Sequence, residues 1–148
     1  MKLIKQYSLI FLLCFSVAQA KAAKTETLAE AKARAESSSP KECVRLCIDL
    51  AQRELDEAKA QFAQGNSEAA KIELQSVAAH AEKSCDGAIA SHKREKQLEI
   101  ELRQISHRLG DLKRTLSFED QPAAQAVMDQ MEKLRTRLLE TMFGKGKK

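Results

Sequence analysis

Apolar residues recur along this chain at alternating steps of three and four, in three separate stretches. Val44, Ile48, Ala51, Leu55, Ala58 and Phe62 form the first. Leu74, Val77, Ala81, Ser84, Ala88, Ser91, Glu95, Leu98, Leu102, Ile105, Leu109, Leu112 and Leu116 form the second, which never loses phase although Ser84, Ser91 and Glu95 are polar. Ala124, Val127, Met131, Leu134 and Leu138 form the third. This spacing draws a narrow stripe down an α-helix, as expected of a helix packed on one neighbour.

Punctuation fixes the ends of these helices. Ser39-Pro40-Lys41-Glu42 is a helix start: Ser39 and Glu42 have the spacing of a capping box, and Pro40 stands where no N–H is needed. Gly65 can take the left-handed conformation that closes the first helix, and Asn66 or Ser67 caps the second. Asp86-Gly87 and Gly110 are the internal break signals of the second stretch, and a lone glycine costs about 1 kcal/mol relative to alanine. One helix over 67–117, roughly 75 Å long, is therefore the simplest reading. The segment 117–122 turns the chain again, with Asp120 as cap and Pro122 in the first turn.

The expected fold is all-α, with antiparallel helical hairpins sharing one long central helix, three to four helices in coiled-coil-like packing. Across the first turn, position i faces about 131 − i; across the second the sum is about 238. Each half is then a thin two-helix hairpin. Leu98, Leu102, Ile105, Leu109, Leu112 and Leu116 are accordingly candidate interface residues for self-association. The rival arrangement folds the chain back near Asp86-Gly87 into a four-helix bundle. Residues 21–39 hold one large apolar residue, Leu28, and are expected to be a frayed tether ahead of a helical domain over 40–143. A basic tail, 144–148, is expected to be disordered.

Phe62-x2-Gly65-x4-Ala70-x3-Leu74 resembles the turn and second helix of a tetratricopeptide repeat, where small residues let paired helices approach. The resemblance spans one unit and implies a helical hairpin. It does not extend into the first helix, where Glu54, Glu57 and Gln61 replace the large apolar and aromatic residues of that pattern.

Aromatic residues make up 4% of the chain and tryptophan is absent, which argues against a sheet. The N-terminus adds a compartment. Lys2 and Lys5, the apolar run Leu9 to Ala18 and the small residues of Ala18-Gln19-Ala20 follow the order of a secretory signal peptide, cleaved after Ala20. The apolar run is roughly half the length that spans a bilayer. Cys14 does not fit a lipidation site, because Leu13 precedes it. The mature chain is thus expected to be exported, periplasmic or secreted, with no stable membrane span. Removing Lys2 and Lys5 lowers the formal charge from +4 to +2, and three of the remaining lysines lie at 145–148. No concentrated basic face is visible, so nucleic acid is not an expected partner.

Three cysteines follow the leader. In an exported chain the default is a disulfide. The hairpin register sets Cys47 level with position 84, which predicts a Cys47–Cys85 bridge. It would close about 39 residues, a contribution of roughly 4 kcal/mol in the chain-entropy picture. Cys43–Cys85 is the competing pair, and the leftover Cys43 is otherwise a free thiol. A zinc site from the three thiolates and His80 or His92 is the alternative use, though the spacing lacks paired ligands. The sequence holds no nucleophile elbow, no His-Glu-x2-His and no phosphate-binding glycine loop. It predicts no enzyme and no cofactor. The expectation is an exported, non-enzymatic interaction or structural component of a bacterial-type cell envelope, acting through protein partners. The alternative is a metal- or redox-responsive protein built on Cys43, Cys47 and Cys85.

Overall fold

The computed structural model describes residues 25–144; the expected signal peptide (1–20) and tail lysines 145, 147 and 148 lie outside them. The described chain forms five helices: α1 Leu28–Glu36, α2 Pro40–Ala63, α3 Ser67–Ser91, α4 Glu95–Thr115 and α5 Gln121–Phe143. Among the described residues there is no strand, and no helix is long and apolar enough to cross a membrane.

The helix ends follow the local chemistry. At Ser39 the Glu42 carboxylate accepts from the backbone N–H at 3.2 Å and from the hydroxyl at 2.8 Å. Gly65 takes φ +79°, and α2 closes with Asn66 N–H donating to Gln61 O at 2.9 Å and Gly65 N–H to Phe62 O at 3.0 Å. This pair of bonds is a Schellman motif.

Inter-helix contacts give the topology. Lys113 donates to Gln125 at 2.7 Å and Arg135 to Glu99 at 2.7 Å, so α4 and α5 are antiparallel in the expected register. Ser67 donates to Asp120 at 2.9 Å near the start of both α3 and α5, while Asp86 pairs with Arg137 near their ends. Hence α3 and α5 run parallel. Arg108 of α4 pairs with Asp56 of α2. Helices α2 to α5 therefore form an up-down-up-down four-helix bundle.

The single helix expected over 67–117 is thus two helices. The break lies at residues 92–94, not at Asp86-Gly87, and His92 (φ 51°) and Arg94 (φ 61°) adopt the left-handed conformation there. Between Val77 and Leu98 the stripe holds only alanine, serine and glutamate, so a straight helix would have little to bury in its middle. Two left-handed non-glycine residues cost about 1–3 kcal/mol each. Burying Leu98, Leu102, Ile105, Leu109 and Leu112, at about 1.5–3 kcal/mol apiece, outweighs that.

The fold-back also corrects the expected interface. Those five side chains are 0–5% exposed within this chain, packed with Ile48, Leu55, Leu74, Met131 and Leu138; Leu116 is partly buried beside them. They are the bundle's interior, because α4 contacts α2, α3 and α5 rather than one helix.

Of the tether expected over 21–39, residues 21–24 lie outside the described residues, and the described part is corrected as well. Thr27 and Glu30 form a capping box, and α1 runs antiparallel along α2 with Ala31 and Ala35 buried. Small residues suffice because α1 lies close, against Cys43, Cys47 and Leu50.

Candidate functional site

Chemistry-bearing side chains gather where α1 crosses α2. Glu54 of α2 is fully buried, although a carboxylate is among the most expensive groups to desolvate. It is compensated from both sides. Lys32 of α1 brings its ammonium to 3.3 Å, and His80 of α3 places Nδ1 at 2.8 Å. The Glu54–His80 contact ties α2 to α3 at this level. Lys32 also lies 4.0 Å from Glu73. Arg53 adds a bond to the Glu26 carbonyl at 2.9 Å. Glu54 stands in α2 where the tetratricopeptide pattern has an aromatic residue, so a polar anchor for α1 occupies a position the resemblance assigns to apolar packing.

Two to three turns earlier in α2, Cys43 and Cys47 are joined in a disulfide, with α-carbons 5.3 Å apart. The bond lies beneath Ala31 and Ala35 of α1. This corrects the expected Cys47–Cys85 bridge and its Cys43–Cys85 competitor. The register is right: Ser84 donates to the Val44 carbonyl at 2.5 Å, so this level of α3 does face the start of α2. The azimuth differs. Cys47 turns toward α1, whereas Cys85 points into the bundle and places its Sγ 3.7 Å from the Leu134 carbonyl. A helix advances about 100° per residue, so equal height does not bring two sulfurs together. Cys43, four residues from Cys47, shares its face.

Cys85 is left as a buried free thiol. Burial pushes its pKa above the ordinary thiol value, with the Arg137 guanidinium opposing. The same separation disperses the ligands of the zinc alternative. His80 is engaged by Glu54, and His92 lies in the α3–α4 turn with Nδ1 3.4 Å from Glu95. Among the described residues no group of three His, Cys, Asp or Glu is placed to hold a metal ion. His107 is an exposed residue 3.2 Å from Asp111. Of the methionines, Met131 is core, while Met128 and Met142 pack at its margin.

Sequence reasoning missed Lys32 and Glu54. The available signal was Thr27-x2-Glu30, which announces a helix able to carry Lys32 onto α2. Compared with protein-family models, curated proteins and solved structures, the chain matches none of them.

Proposed function

We propose that this protein is an exported, non-enzymatic component of a bacterial-type cell envelope that acts by binding a partner protein. One observation carries the reading. Ile100 of α4 and Met142 and Phe143 of α5 line a common groove, with Phe143 69% exposed and Ile100 39% exposed. Leu139, one turn before Phe143, extends the apolar strip and is 36% exposed. Contiguous exposed apolar surface of this kind marks association sites. Arg94 and Lys96 border the groove beside one carboxylate, Glu95, which His92 approaches at 3.4 Å, and the tail lysines follow Phe143 in sequence. The complementary occupant is a partner segment with apolar anchors and an acidic rim.

A photo-cross-linking residue at position 143, used in intact cells, tests this. One heteromeric adduct, weakened by Leu139→Lys and absent from a probe at Lys59, is the expected result. An adduct to a second copy would assign the strip to self-association. The absence of any adduct would remove the binding reading. Export is tested separately by the intact mass of envelope-derived protein, expected to begin at Lys21.

The Cys43–Cys47 bond favours a second reading, redox response. A reduced dithiol would transfer two electrons and two protons, becoming a disulfide as Cys43 and Cys47 become thiols. Thiol counts before and after dithiothreitol, with hydrogen exchange at α1 as the readout, test it. Unchanged exchange on reduction would leave the bond purely structural.

A further inference from the structure

The strongest unassigned feature is a basic groove of about 560 Å³ at the end of the bundle where the α1–α2 corner meets the α3–α4 turn. Arg34 of α1, Lys41 and Arg45 of α2, and Arg94 of the turn line it, with Glu42 as the single carboxylate. Glu42 is engaged, because its Oε2 accepts from both the Ser39 hydroxyl and the Ser39 N–H, and those bonds hold its carboxyl below the ordinary carboxylate range. Arg34 contacts Glu26 at 3.0 Å and Arg94 contacts Glu101 at 3.8 Å. Among the described residues, no ion pair engages Lys41 or Arg45.

Two features of this groove are local costs at this corner of the fold. Lys41 and Arg45 are like charges four apart on one helix face and repel each other. Arg94 is a non-glycine residue held at φ 61°. Backbone outliers of this kind concentrate at functional sites, where surrounding structure holds them in place. An anion among the four cations offsets the Lys41–Arg45 repulsion, and the turn holds the Arg94 guanidinium beside them.

We propose that this groove binds a phosphate-bearing anion carrying at least two negative charges. Guanidinium forks match phosphate oxygens bidentately, and such charge-assisted bonds are about twice as strong as neutral ones. A lone carboxylate offers two oxygens and one charge, too few for three guanidinium groups and an ammonium. The proposal does not depend on the apolar strip between α4 and α5, although Arg94 borders both grooves.

The test titrates pyrophosphate into isotope-labelled protein, purified in the form the cell produces, and follows amide shifts. The expected shifts cluster at 34–45 and 92–95. Arg45→Ala and Arg94→Gly should each weaken binding by about tenfold, while Lys59→Ala, about 21 Å along α2 from Arg45, leaves it unchanged. Co-sedimentation with phosphatidylglycerol vesicles, against phosphatidylcholine vesicles, distinguishes the sources. Arg45-dependent vesicle binding identifies a lipid headgroup; pyrophosphate binding without it identifies a free phosphate compound. Shifts spread evenly over the surface cations, or affinity unchanged in Arg45→Ala at native helix content, would overturn the proposal. So would a failure to bind either probe.

Discussion

Gly87 of α3 lies so close to Pro40, the first residue of α2, that a β-carbon there would stand 2.5 Å from the Pro40 carbonyl oxygen and 3.2 Å from Val44 Cγ2. The oxygen is helix backbone and cannot rotate aside. Alanine at 87 would gain about 1 kcal/mol of helix propensity. Overpacking against fixed backbone costs about 1–3 kcal/mol, so Gly87→Ala should destabilise by up to ~2 kcal/mol. Gly110 is the internal comparison, because a β-carbon there meets only Met128 Cε at 3.6 Å. Gly110→Ala should therefore stabilise by up to ~1 kcal/mol. Urea unfolding of both variants checks the contrast, and equal shifts would contradict the close approach.

Gly87 also shows how far the sequence could be read. The 4-3 stripes named the core correctly: Val44, Ile48, Ala51 and Leu55 on α2 and Leu98 to Leu112 on α4 are all buried. Gly65 and the α4–α5 register were legible because each follows from local geometry. The α3–α4 break was not, since unbroken phase says nothing about how much apolar area a stripe carries. Asp86-Gly87 reads as a break, yet Gly87 serves helix approach and the chain turns five residues later. The Cys43–Cys47 pairing required azimuth as well as height. The basic groove joins residues from 34 to 94, which no local pattern connects.

The thiols give a direct check on the corrected pairing. Trypsin cuts after Lys41, Arg45 and Arg53, so a Cys43–Cys47 bond links peptide 42–45 to peptide 46–53. Non-reducing mass mapping should find that linked pair. Cys85 is fully buried, and burial holds its thiol protonated. It should resist alkylation in the folded protein and react at once in denaturant. A linked peptide containing Cys85 would restore the bridge expected from the hairpin register.

Glu54 should govern the attachment of α1. Glu54→Gln weakens the contacts to Lys32 and His80, both of which can reach water, at a cost of about 1–3 kcal/mol. Lys32→Ala instead leaves the buried carboxylate with the imidazole alone. Both variants should raise hydrogen exchange across 28–36 and leave α4 and α5 protected. A uniform rise over all five helices would show that α1 does not open separately.

Acid should loosen the corner where α3 begins and α5 starts. Asp120 is held below its ordinary pKa first by Lys71 and then by the Ser67 hydroxyl. A carboxyl depressed in the folded state adds stability above its unfolded pKa and loses it as pH falls through the folded value. The loss should begin near pH ~4 and continue below it. Asp120→Asn removes this part, so wild type and variant should converge in stability on acidification. A constant difference between pH 7 and 3 would assign the Asp120 contribution to hydrogen bonding that does not titrate.

The position that best separates the two readings of the apolar stripe is Leu109. A dimer interface along Leu98–Leu116 would let Leu109→Glu separate two folded chains. In the bundle Leu109 is fully buried among residues of its own chain. A carboxylate there has no partner and is costly to desolvate. Even the neutral truncation Leu109→Ala should cost about 2–5 kcal/mol through the lost burial and the cavity left behind. Leu109→Glu should therefore abolish cooperative unfolding and helical dichroism at every protein concentration. Ile72→Glu is the control, since Ile72 is 62% exposed and the charge there stays in water. Sedimentation with dichroism on both variants decides the matter. A folded, helical Leu109→Glu chain of half the wild-type mass would return the stripe to an interface between copies; loss of helix confines it to the core.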